Sequence, residues 1–154
     1  MMNTTHLRQL FISASLLFAS PLIWACSYDG QFSNPFKESY PGALDVAIAT
    51  QQAIDQNLIT SPKHFSGNKG LRRVTWWLKL MAKLPLDLPN NAYIYLVDSQ
   101  LWSQYQSDQT LQIHVSPPQN PEVTIQLTEA TLHSLINNEL TFEQAQNLGL
   151  ISAT

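Results

Sequence analysis

The closing stretch PEVTIQLTEATLHSLINNELTFEQAQNLGLISAT constrains the fold more tightly than any other part of the chain. Val123, Ile125 and Leu127 alternate with polar residues, which predicts a half-buried strand over 123–127. Thr128 stands where an N-cap belongs, immediately before Leu132, Leu135 and Ile136 at helical spacing, so a helix follows over 128–138. A second cap falls at Thr141, with Gln144 three residues later as the reciprocal partner of a capping box. Gly149 ends that helix, and 150–152 return to a strand. A strand, two short capped helices and another strand in so few residues demand a layered α+β arrangement.

The residues before this block supply the rest of the sheet. Ala92–Asp98, Leu101–Gln106 and Leu111–Val115 are apolar runs separated by the turn-sized links Asp98-Ser99-Gln100 and Ser107-Asp108-Gln109. They predict an antiparallel meander. Alternation places Ile94, Leu96, Leu111, Ile113, Val115, Val123, Ile125 and Leu127 on one face. Leu101 and Tyr105 stand on one side of their strand and Trp102 on the other, while Tyr93, Tyr95 and Val97 point away from the first face. Two helices precede the meander. One covers about 42–57, with Leu44, Ala47, Ile48, Ile54 and Leu58 on its expected buried side. After a loop over 61–70, the other covers 71–84. The expected fold class is α+β, a five-stranded, mostly antiparallel sheet covered on one face by helices.

The N-terminus reads as an address. His6 and Arg8 precede an apolar run from Leu10 to Trp24, followed by Ala25-Cys26, the charged, apolar and small-residue order of an export signal. The run is shorter than the ~20 residues a spanning helix requires, and Pro21 interrupts it. The expected organisation is an export signal over 1–25, an irregular aromatic arm over 26–41 and one α+β domain over 42–154. The arm would dock through Tyr28, Phe32, Phe36 and Tyr40. Leu22-Ile23-Trp24-Ala25-Cys26 resembles a bacterial lipoprotein signal, with Cys26 as the residue that would be lipidated. Trp24 departs from that pattern, and ordinary cleavage nearby is the alternative. The implied location is the bacterial periplasm, with Cys26 as a possible membrane anchor.

Charge is sparse and uneven. Only 12% of the 154 residues are charged, about half the usual share of roughly 25%. Six of the eight basic residues lie between Lys63 and Lys83, and none follows Lys83. The acidic body makes nucleic acid an unattractive partner. Over 71–84, Leu71, Val74, Trp77, Leu78, Met81 and Leu84 form an apolar stripe. Arg72, Lys79 and Lys83 lie opposite, with Trp76 among them. A core-facing helix with a solvated basic side is one reading. The other is contact with anionic headgroups through Arg72, Trp76, Lys79 and Lys83, with the tryptophan as interfacial anchor.

The run from YIYLVDSQLW to ELTFEQAQNLGLI resembles the sterol-carrier-protein family of small lipid-binding domains over about 92–152. The meander is similar to the family's central strands. The closing block is similar to its strand, leucine-rich helix, short link, helix and glycine-led strand, although Glu139 stands where glycine is usual. The family's covering C-terminal helix has no counterpart before Thr154. The resemblance implies a non-catalytic domain that holds a lipid or other hydrophobic small molecule between sheet and helices. Trp77, Leu80, Met81, Leu84, Ile94, Ile113, Leu132, Leu135 and Ile136 are the candidate ligand-binding residues. Each buried methylene would contribute about 0.8 kcal/mol before ordering costs.

No catalytic set, cofactor motif or metal motif competes with this reading. His64, His114 and His133 show no ligand spacing to one another, to Cys26 or to an acid, and HExxH and CxxC are lacking. His114 should face solvent. Ser66–Gly70 lacks the spacing of a phosphate loop. An enzyme is therefore not expected, and neither cofactor nor metal is assigned. A second class of function stays open, a periplasmic accessory that uses the same fold as a scaffold for a protein partner.

Overall fold

Strand alternation decides how the layers stack. The computed structural model describes residues 26–29, 40–86, 88–106 and 108–154. Strands β1 (Tyr93–Leu96), β2 (Leu101–Tyr105), β3 (Leu111–Ile113), β4 (Thr124–Leu127) and β5 (Ile151–Ala153) form one sheet in the order β3-β2-β1-β4-β5. The meander β1–β2–β3 and the β4–β5 pair are antiparallel, whereas β4 runs parallel to β1 with Ile94 opposite Ile125 and Leu96 opposite Leu127. The chain is thus α+β with a mixed, mostly antiparallel sheet.

Helices α1 (Ala43–Asp55), α2 (Gly67–Met81), α3 (Glu129–Ile136) and α4 (Phe142–Asn147) complete the domain. The predicted caps form as drawn. Thr128 accepts from the Thr131 N–H, and Thr141 and Gln144 close a reciprocal capping box. Gly149, at φ +73°, turns the chain out of α4 into β5 in a backbone region that other residues seldom adopt.

The main core lies between the sheet and the helices. Ile94, Leu96, Leu101, Ile125 and Leu127 from the sheet meet Val74, Trp77, Leu78 and Met81 from α2 and Leu132 and Leu135 from α3. The opposite face is not bare. Tyr95 and Trp102 pack there with Tyr40 and with Ala43 at the start of α1. Gln126 on that face donates to the Pro41 carbonyl at 2.8 Å. The helical core thus covers one face as expected, and the residues leading into α1 close the second.

Three expectations change. Helix α1 buries Ala43, Val46, Thr50 and Ala53, while Leu44, Ile48 and Leu58 are exposed. Both sides of α1 are apolar, and the side with smaller residues lies against the protein. There Thr50 joins a buried hydroxyl cluster with Thr128 and Thr131. Helix α2 begins four residues before Leu71, inside the expected loop, because Gly70 serves packing rather than a turn. A Cβ on Gly70 would collide with the Phe65 carbonyl oxygen and the Tyr28 ring. Finally, β3 stops at Ile113. His114 adopts φ 64°, and that left-handed step sends Val115 to the second face, beside the Tyr95–Trp102 cluster.

The arm docks as expected where it is described. Tyr28 is buried and Tyr40 half-buried, whereas Phe32, Phe36 and the expected export signal over 1–25 lie outside the described residues. An exposed helical glycine replaced by alanine ordinarily gains up to about 1 kcal/mol. Gly70→Ala should do the reverse, lowering stability by about 1–3 kcal/mol through overpacking against Tyr28 and Phe65. The urea midpoint of the variant checks this, and an unchanged or raised midpoint contradicts it.

Candidate functional site

The two parallel strands end side by side, and polar groups gather just beyond them. Asp98 follows β1 and Glu129 follows β4 as the first residue of α3. The Glu129 N–H donates to both Asp98 carboxylate oxygens, at 3.2 and 3.0 Å, so Asp98 satisfies an otherwise unpaired donor at the helix start. The Glu129 side chain is nearly buried and takes two partners. The Tyr28 hydroxyl donates to Oε1, and Arg73 of α2 donates to Oε2 at 3.3 Å. Arg73 also donates to the Lys63 carbonyl and lies over the rings of Phe65 and Trp77, at 4.7 and 4.4 Å from their centroids. One carboxylate therefore ties together the arm, α2 and α3.

The electrostatics follow from that crowding. Burial, then the hydrogen bond and negative charge of Glu129, hold the Tyr28 hydroxyl well above its ordinary pKa, so it remains a donor. Burial of its carboxylate, with Glu129 nearby, also raises Asp98 above the usual carboxylate range. Asp98 as a whole residue is exposed, and solvent screening limits the size of that effect.

A second cluster sits on the same turn. Ser27–Asp29 form a single turn of 3-10 helix, pinned to the sheet by the Ser27 N–H and hydroxyl donating to the Ser99 carbonyl at 2.9 and 3.1 Å. Cys26 is buried, and its thiol points at Asp29 Oδ2 across 3.6 Å. Burial raises the pKa of that thiol. His114 Nε2 approaches the same oxygen at 3.5 Å. Sequence spacing left Cys26 and the histidines unconnected, but the fold gathers Cys26, Asp29 and His114 with donor atoms within 4.8 Å of one another. His114 is exposed as expected, yet it faces an acid. The other two histidines stay apart: His133 packs against Trp77 at 5.0 Å between ring centroids, and His64 is exposed.

The expected ligand-binding residues largely come together. Trp77, Met81, Ile94, Leu132 and Leu135 are buried in one apolar cluster, with Leu84, Ile113 and Ile136 packed half-buried against it. Leu80 is half-buried on α2 and is not part of that cluster. Ser103, opposite Ile94 in the sheet, was missed by the sequence reading. It is fully buried, and its hydroxyl has no partner among the described residues. Its inward position was legible from its shared parity with Leu101 and Tyr105. The four residues expected at a membrane stand together on the outside. Arg72, Trp76 and Lys79 on α2, and Lys83 just beyond it, are all exposed, Trp76 to 58%.

Compared with known proteins, the chain matches no family model and no curated protein. Among the described residues, no helix is long and apolar enough to cross a membrane.

The ion pair gives a direct test. Arg73→Met leaves the Glu129 carboxylate without its cation in a nearly dry setting, and should cost on the order of 3 kcal/mol. Adding Glu129→Gln should recover most of that loss, because no uncompensated charge then remains. Urea unfolding of wild type, both single variants and the double variant reads the coupling, and additive losses would contradict it.

Proposed function

We propose that this chain is an exported, non-catalytic domain of sterol-carrier type that holds a lipid or other hydrophobic small molecule beside a membrane surface. The observation that carries this reading is the division of α2 into two faces. Its inner face contributes Val74, Trp77, Leu78 and Met81 to the apolar layer, while its outer face exposes Trp76 among Arg72, Lys79 and Lys83. A tryptophan left exposed costs apolar hydration, and cations around it suit the boundary between anionic headgroups and acyl chains.

Two features support the cargo. The closing strand, two capped helices and strand stand in the order that the resemblance implies. The Ser103 hydroxyl lies on the helix-covered face beside Ile94, and a buried hydroxyl without a partner costs about 1–3 kcal/mol. A hydrophobic ligand with one polar head would recover that cost. The half-buried Leu84, Ile113 and Ile136 form the margin through which a tail would pass.

A specific observation favours the rival reading, a scaffold that docks a protein partner. Leu44 and Ile48 lie one turn apart on the outer side of α1, exposed to 42% and 48%. Such a partner would sit on α1 and leave the outer face of α2 free. Binding to vesicles and binding to a protein therefore separate by variant.

Wild type should sediment with anionic vesicles and not with zwitterionic ones. The pair Lys79→Ala and Lys83→Ala should weaken that binding roughly thirtyfold, at about 1 kcal/mol per cation. Trp76→Ala should weaken it at unchanged stability. Equal binding to both vesicle types, or none, contradicts the membrane reading. Uptake of a fluorescent fatty acid tests the cargo: Met81→Trp should abolish it and Leu44→Ala should leave it intact. Wild type without uptake, and without extractable lipid when isolated from its own host, leaves the scaffold reading in possession.

A further inference from the structure

We propose that Cys26, Asp29 and His114 form a binding site for one zinc-class divalent cation, with the Cys26 Sγ, an Asp29 carboxylate oxygen and the His114 Nε2 as ligands. The site is independent of the lipid-binding reading and uses none of its residues.

Geometry carries the proposal. Zinc bound tetrahedrally by thiolate, carboxylate and imidazole, at roughly 2.0–2.3 Å, sets ligand-to-ligand edges of about 3.4–3.6 Å. Two of the three edges already have those lengths: 3.6 Å from Cys26 Sγ to Asp29 Oδ2, and 3.5 Å from His114 Nε2 to the same oxygen. The third is within 4.8 Å. Closing it requires a shift of at most about 1.2 Å, since the tetrahedral edge there is about 3.6 Å. The Asp29 and His114 side chains are each 39% exposed and have room to make that shift.

Hydrogen bonding inside the turn accounts for Cys26 and Asp29, because the Cys26 N–H and thiol both donate to Asp29. It does not account for His114. That residue comes from the far end of β3, and its φ of 64° places it beside Asp29. The ligand set also selects the ion. Thiolate and imidazole suit zinc and disfavour magnesium and calcium, which take oxygen ligands. Two anionic ligands and a neutral imidazole balance a divalent charge and leave a fourth position open. Processing after Ala25 would turn the Cys26 nitrogen, 3.2 Å from Asp29 Oδ2, into an amine able to fill that position in a five-membered chelate with its own thiolate. A lipidated Cys26 would carry a thioether in place of the thiolate, so lipidation and this site exclude one another.

The test uses the full chain without a histidine tag, reduced and stripped with a chelator. Zinc is titrated by calorimetry, and cobalt(II) serves as the spectroscopic probe. The expected result is one equivalent of zinc and a thiolate-to-cobalt charge-transfer band. Cys26→Ser should abolish the band, and His114→Gln should weaken zinc binding at least about tenfold. His64→Gln and His133→Gln should change neither. His114 is exposed but holds a left-handed step in the edge strand, so the urea midpoint of His114→Gln is measured beside its zinc affinity, and His114→Asn, which tolerates that backbone, should lose zinc binding equally. The proposal is overturned by wild type that takes up no stoichiometric zinc, or by binding that survives both Cys26→Ser and His114→Gln. It is equally overturned by a diacylglyceryl mass on Cys26 in protein from its own host.

Discussion

A carboxylate taken out of water needs partners, and in this domain Glu129 is held through its side chain and its backbone by three separate segments. Tyr28 comes from the arm, Arg73 from α2, and Asp98, which holds the Glu129 N–H, from the turn after β1. Glu129 itself is placed by β4, which returns parallel to β1 and so sets the start of α3 against the end of the meander. A buried pair of this kind contributes little net stability compared with apolar packing, but losing one partner is costly. Its effect is to favour one arrangement: α2 cannot slide over the sheet, nor the arm undock, without stranding a charge. Both candidate sites depend on that fixity. The apolar layer beneath α2 and α3 requires the two helices in register, and the Cys26 turn requires Tyr28 in place.

Much of this fold was legible in the sequence because the signals were local. The caps at Thr128 and Thr141 depend on residues three apart, and the strands on alternation over a few positions. Where two local signals had equal strength, the reading failed. Helix α1 carries apolar residues on both sides, and hydrophobic periodicity cannot say which side the rest of the protein will accept. The side with Val46, Thr50 and Ala53 lies inward, and the bulkier Leu44 and Ile48 are left outside. The start of α2 was hidden because Gly67 and Gly70 read as loop formers, although Gly70 is required by a contact with a ring from the arm.

The sites divide along the same line. The apolar candidates followed from period and parity, so they were found with the elements that carry them. The ion pair of Arg73 with Glu129, and the gathering of Cys26, Asp29 and His114, join residues that no spacing rule connects. Only the tertiary arrangement creates them. Ser103 lies between these cases. Its burial followed from strand parity, but its unpaired hydroxyl depends on what surrounds it.

The left-handed step at His114 also has a mechanical result. An edge strand usually serves one layer, yet here Ile113 is seated with the helices and Val115 with the aromatic residues behind the sheet. The Val115 N–H still reaches the Trp102 carbonyl at 3.0 Å, so the chain keeps its hold on β2 while it changes sides. Peeling this short segment away would loosen both layers together. The outermost strand therefore works as a clasp, and melting at that margin is coupled to the whole body of the domain.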